Sequence, residues 1–155
     1  AIKPQNIKQY NNIWNTREYL SHAQKINGPS IKHDISIPIE KISYFLKEAE
    51  LRLTDIPKSN FLAFGHLADG NLHYNISKPI NVSDANYNKL KKYVSQTIFD
   101  LVYDLGGSFS AEHGIGKIKT NEFKKYSTKE EYMLKKKLKR LIDPNNIMNP
   151  GKIFN

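Results

Sequence analysis

The segment His66-Leu-Ala-Asp-Gly-Asn-Leu-His73 constrains the fold more than any other part of the chain. An Asp-Gly pair flanked by alternating apolar residues is a strong short-range signal for a tight β-hairpin. A two-residue turn at Asp69-Gly70 predicts Ala68 opposite Asn71, Leu67 opposite Leu72 and His66 opposite His73. Opposed residues on an antiparallel ladder share a face with Cβ atoms about 5 Å apart, so two imidazoles arrive on one side of a sheet as a clasp for a divalent metal. Leu67, Leu72, Tyr74 and Ile76 then fall on the other face, which reads as core.

A second cluster, Ser110-Ala-Glu112-His113-Gly114-Ile-Gly116, adds a carboxylate, another imidazole and glycines that let backbone approach a ligand. His66, His73 and Glu112 make a two-histidine, one-carboxylate set of the kind that holds a catalytic metal with an open position. His113 is then free to handle protons, since an imidazole ordinarily titrates near neutrality. The competing reading is a polar cross-strand pair of histidines on an exposed face, beside a structural Glu-His pair.

Around these clusters the pattern reads β-α-β-β-α-β from 31 to 111. Residues 7 to 22 carry a helical pattern ended by Asn27-Gly28-Pro29, and Ile31 to Ile37 alternates as a strand. Ile42, Phe45, Leu46, Ala49 and Leu53 repeat at three and four residues and predict a helix that ends before Pro57. The hairpin spans about 60 to 77. A second helix runs from about Ser83 to Gly106-Gly107 with Leu90, Val94, Ile98, Leu101 and Leu105 on one face, and residues 108 to 111 are strand-like. This order predicts an α+β fold: a ferredoxin-like antiparallel sheet with helices packed on one face, the other face open. A C-terminal helical segment follows, opened by the capping-box pattern Ser127-Thr-Lys-Glu130, with Met133, Leu134, Leu138, Leu141 and Ile142 apolar, and stopped by Asp143-Pro144. The tail Asn149-Pro-Gly-Lys152 reads as a turn without a partner inside the chain. Trp14 and the tyrosines read as packing residues, and His22 and His33 as surface residues.

With 155 residues the chain is about one domain long. It has no apolar run of membrane-spanning length, no signal-peptide core and no cysteine, so a cytoplasmic location is the simplest expectation. The net charge of +9 favours anionic partners. Lys135, Lys136, Lys137, Lys139 and Arg140 crowd one helix without interleaved aromatics, which favours a solvated or subunit-facing surface over a nucleic-acid groove. No nucleic-acid partner is expected.

Five ordered motifs, Trp14-Asn-Thr-Arg17, Lys32-His-Asp-Ile-Ser-Ile-Pro38, Gly65 to His73, Ser110 to Gly116 and Asp143-Pro to Phe154, together resemble the C-terminal substrate-capping part of the FAD-linked oxidase family, which includes D-lactate dehydrogenase, the glycolate oxidase flavin subunit and D-2-hydroxyglutarate dehydrogenase. By that resemblance His66, His73 and Glu112 take the positions of the metal ligands and His113 that of the catalytic histidine. Arg17, Lys32, Asn75 and Ser21 match substrate-binding positions, and Asn149 and Lys152 lie in the segment that returns to the flavin. An Arg fork and a Lys point charge both suit a carboxylate.

The resemblance implies the substrate- and metal-binding part of an FAD-dependent dehydrogenase that oxidises a D-2-hydroxy acid to a 2-oxo acid. It makes residues 1–155 a cap domain, with 117–155 a helical tail that returns to the flavin domain. The implied cofactors are FAD, bound mainly by a domain absent from this chain, and a divalent metal such as zinc or manganese. The implied partners are a small 2-hydroxy acid and a flavin-binding domain in cis or trans; a second copy of the chain, a peripheral membrane contact and an electron acceptor stay open. The chain alone is expected to be inactive and to expose apolar surface where the flavin module would sit. Ala68 stands where the family usually has Gly, so a positive φ there would strain the hairpin. A different class of function is a non-catalytic basic module that binds metal or acid without a flavin partner.

Overall fold

The computed structural model describes residues 2–26, 28–56 and 59–154, without the side chains of Ser21 and Lys25. Its elements are α1 (Ile7–Glu18), α2 (Leu20–Ile26), β1 (Ser30–Ser36), α3 (Ile42–Arg52), β2 (Phe61–His66), β3 (Asn71–Ser77), α4 (Asp84–Asp104), α5 (Thr120–Tyr126) and α6 (Lys129–Ile142). The three strands form an antiparallel sheet in the order β1-β3-β2. That is the α+β arrangement the alternation of patterns predicts.

The sheet divides its residues by parity. Ile31, Ile35, Leu72, Tyr74 and Ile76 point to one face and are buried against Phe45 and Ala49 of α3, Leu53 at its C-terminal cap, and Val94, Ile98 and Leu101 of α4. Phe45 meets Tyr74 edge-on with ring centroids 5.3 Å apart. Ser83 caps α4 by accepting the Asn86 N–H, which starts the helix where the sequence places it. His33 shares this core face and is 2% exposed, so the expectation of a surface residue is wrong. Alternation in β1 puts residue 33 on the same side as Ile31 and Ile35, and its ring is accommodated because its Nδ1 bonds the Tyr74 carbonyl oxygen at 2.8 Å.

The hairpin is present with a different register. Leu67–Asp69 form a single 3-10 turn and Gly70 alone takes the left-handed conformation, at φ 63°. The connection therefore uses four residues, and His66 pairs with Asn71, Gly65 with Leu72 and Phe64 with His73. Because the slip is by two residues, every side chain that stays within β2 and β3 keeps its predicted face. His66 and His73 are diagonal rather than opposed. Leu67 leaves the core and is 66% exposed on the turn. Ala68 is not among the non-glycine residues with positive φ, so the strain considered for it does not arise.

The strand expected at 108–111 is reduced to one bridge, with Ser36 and Ser108 exchanging N–H···O bonds of 2.9 Å on the outer edge of β1. Beyond Ser110 the backbone N–H groups converge on the Asp34 carboxylate, that of Ala111 being shared with the Asp34 carbonyl oxygen at 3.3 Å.

In the C-terminal part α6 is capped one residue later than the sequence suggests: the Thr128 hydroxyl accepts the Glu131 N–H at 3.1 Å. Met133, Leu134, Leu138, Leu141 and Ile142 are all exposed. The helix is anchored by Tyr132, which packs with Phe123 and Phe154. The tail does have partners inside the chain: the Ile153 N–H donates to the Gly116 carbonyl at 2.8 Å, and Lys139 donates to the Met148 carbonyl. At the other end α1 buries none of its residues, and Trp14 is 51% exposed, so it is not a packing residue here. No helix among the described residues is long and apolar enough to cross a membrane.

Candidate metal centre

The open face of the sheet carries Lys32 and Asp34 on β1, Asn71, His73 and Asn75 on β3, and Phe64 and His66 on β2. The loop after Ser110 folds over this face, and Asp34 holds it there. Its Oδ2 accepts the N–H groups of Ala111 at 3.2 Å, Glu112 at 3.0 Å and His113 at 2.9 Å. Three successive peptide donors on one carboxylate oxygen fix the loop through its backbone, so the Glu112 and His113 side chains are presented to the sheet by the fold.

Glu112 reaches both histidines of the hairpin. Its Oε1 lies 3.1 Å from His66 Nδ1 and its Oε2 lies 3.9 Å from His73 Nε2. Asn71, between the two, donates its side-chain amide to Glu112 Oε1. Asp34, His73 and Glu112 each offer a ligand atom within 4.8 Å of the others. Asp34 Oδ1 is buried with no hydrogen-bond partner and faces His73 Nδ1 at 3.8 Å. His73 and Glu112 converge beside the orphaned buried oxygen of Asp34, and His66 joins this group through Glu112; imidazole and carboxylate donors of this kind suit a divalent cation.

The His113 ring stacks on His73 at 5.8 Å, with its Nδ1 3.6 Å from Asp34 Oδ2. Burial disfavours the charged form of Asp34. The N–H bonds from His113 and Glu112, helped by the His113 and Lys119 charges, outweigh this and hold its carboxyl below the ordinary range. Lys119 bonds the Phe109 carbonyl and the Ser110 hydroxyl, and burial lowers its pKa against the opposing pull of Asp34 and Glu122.

Lys32, Asn75, His73, His113 and Lys119 line one cleft of about 290 Å³, walled on one side by Phe64. Asn75 is buried and structurally engaged: its Oδ1 accepts the His33 N–H at 3.3 Å and its amide donates to Gln24 at 3.0 Å. Arg17 approaches from α1 with its guanidinium 3.3 Å from His66 Nε2, over the Trp14 ring and paired with Glu18. The Ser21 side chain lies outside the described residues. Asn149 and Lys152 are not part of this cleft. They form the tail turn, and Lys152 borders a separate depression with Lys139, Arg140 and Phe154.

Sequence reasoning missed Asp34, Asn71 and Lys119. For Asp34 the signal was present: a carboxylate inside the apolar alternation of Ile31 to Ile37, on the parity of Lys32, requires partners to be tolerated.

The family described as FAD linked oxidases, C-terminal domain, matches residues 3–153. D-2-hydroxyglutarate dehydrogenase of Stutzerimonas stutzeri (strain A1501) is 38% identical over 157 residues, covering 99% of this chain and 33% of that protein. The mitochondrial D-2-hydroxyglutarate dehydrogenase of Arabidopsis thaliana is 36% identical over 155 residues, covering 99% and 26%. That of Danio rerio is 34% identical over 140 residues, covering 90% and 25%. The chain thus spans between a quarter and a third of the length of these relatives.

Proposed function

Because the chain belongs to the family of C-terminal domains of FAD-linked oxidases, we propose that it forms the substrate- and metal-binding part of an FAD-dependent D-2-hydroxy-acid dehydrogenase. The relatives' names favour D-2-hydroxyglutarate over D-lactate and glycolate as the substrate. Residues 1–155 act as the cap, residues 117–155 as the tail toward the flavin module, and Asn149 and Lys152 belong to its flavin side. The observation that carries the reading is the position of Glu112, within 4 Å of both hairpin imidazoles although it lies some forty residues away in sequence.

FAD supplies the two-electron acceptor, and a zinc or manganese ion held by His66, His73 and Glu112 supplies Lewis acidity toward the hydroxyl. The chain's own residues do the rest. Arg17 and Lys32 bind carboxylate, the first as a planar fork and the second as a point charge. Asn75 borders the cleft and retains one amide N–H for the acid. His113 has its Nδ1 turned to Asp34, so Nε2 is the nitrogen left to accept the hydroxyl proton.

The test has two arms. Titration calorimetry of zinc into this chain and into Glu112→Gln should show one tight site in the first and affinity reduced by about 100-fold in the second. The chain combined with its flavin-binding domain should reduce a dye with D-2-hydroxyglutarate. Absence of a zinc site together with no turnover on D-2-hydroxyglutarate, D-lactate or glycolate by a stable assembly would overturn the reading.

A further inference from the structure

One buried carboxylate at this centre has two separate jobs available to its two oxygens. Asp34 on β1 is paired directly with His73 on β3 and is 5% exposed. Its Oδ2 is taken by the peptide N–H groups of Ala111, Glu112 and His113, with His113 Nδ1 also 3.6 Å away. Its Oδ1 is buried without a hydrogen-bond partner and faces His73 Nδ1 at 3.8 Å. The opposite nitrogen of that ring, Nε2, looks toward Glu112 Oε2 at 3.9 Å.

We infer that Asp34 is the positioning residue of the metal centre: Oδ2 fixes the peptide that carries Glu112 and His113, while Oδ1 receives the Nδ1–H of His73 and thereby commits Nε2 to the cation. This rests on the reading of His73 as a metal ligand. A neutral imidazole has one N–H and one lone pair, and the group facing one nitrogen decides which is which. A buried carboxylate oxygen that lacks a donor leaves a desolvated acceptor unsatisfied, while an Nδ1 lone pair turned toward it would be repelled. The Nδ1–H tautomer satisfies Oδ1 and leaves the ring's lone pair on the Glu112 side. Sheet register makes the approach inevitable, because directly paired residues on one face hold their Cβ atoms about 5 Å apart. A small closure of the His73 ring brings 3.8 Å to hydrogen-bond length. One side chain therefore sets the tautomer of one ligand and the backbone of a second.

The tautomer is readable without activity. Long-range proton–nitrogen correlation spectra of the metal-free full chain at about pH 8, where histidine is neutral, should place the His73 proton on Nδ1. In Asp34→Asn, whose amide oxygen can still accept the loop N–H groups, the proton should move to Nε2 and zinc affinity should fall 10- to 100-fold. Asp34→Glu should keep the wild-type tautomer. A role limited to holding the loop would lower the melting temperature of both variants without moving the His73 proton, and would overturn the inference. So would a wild-type ring protonated at Nε2, a result that decides the matter even if Asp34→Asn does not fold. If the wild-type chain bound no zinc, the metal reading would fall, while the tautomer would still decide the contact between Asp34 and His73.

Discussion

His33 offers a quantitative test of how the core is built. Its ring lies edge-on to Phe99 at 5.5 Å, its Nδ1 bonds the Tyr74 carbonyl oxygen and its Nε2 is 3.2 Å from the Ser95 hydroxyl. Burial is the largest influence on it, opposed by the Tyr74 hydrogen bond and reinforced by the Lys119 charge, and together they lower its pKa from 6.5 to about 4. Between those values the unfolded chain carries a proton on His33 that the folded chain must shed. Stability is therefore complete above pH 6.5 and declines as pH falls toward 4. A gap of about 2.5 units at about 1.36 kcal/mol each amounts to roughly 3 kcal/mol. Urea unfolding followed by circular dichroism from about pH 7.5 to about pH 4.5, with chelator present, should show this loss in the wild type and lack it in His33→Gln. The other histidines are common to both chains and cancel in the difference. Asp34, held below its ordinary 3.8, loses its contribution only at still lower pH. Parallel stability profiles for the two chains would refute the assignment of His33 as a buried, neutral imidazole.

Two further outcomes follow from the hairpin and the loop. Gly70→Ala places a side chain at φ 63° and drives its Cβ into the Ile37 carbonyl, so stability should drop by about 1–3 kcal/mol in thermal melts, and an unchanged midpoint would contradict the described turn. His113→Gln, assayed with the flavin-binding domain, should lower kcat by about 10²- to 10⁴-fold while zinc affinity stays within a few-fold of wild type. Equal losses in both would instead place His113 among the metal ligands.

Much of the architecture was legible because it depends on local periodicity. The three- and four-residue spacing of Phe45, Ala49 and Leu53, and of Val94, Ile98 and Leu101, located the two helices that cover the core. Period-two alternation assigned faces in β1 and β3, and an even slip in register left those faces intact although the turn length was wrong. The same alternation contained the burial of His33, which residue type alone obscured. Other features were illegible for a physical reason. Residues 108 to 111 have strand character, yet their continuation bonds a side chain 77 residues away, a choice that depends on where Asp34 ends up. Trp14 and the apolar row of α6 have the pattern of packed faces and remain exposed, since periodicity shows that a face is apolar and not what covers it.

By itself the sequence determined the fold class, the hairpin, the side of the sheet that bears the histidines, and the family. Those follow from short-range spacing and residue type. Only the tertiary structure decided that Glu112 meets His66 and His73, that Arg17 comes to rest beside His66, and that Asp34 binds the loop carrying Glu112 and His113. Contacts between residues tens of positions apart depend on how packed elements place their ends, and no local pattern encodes that placement.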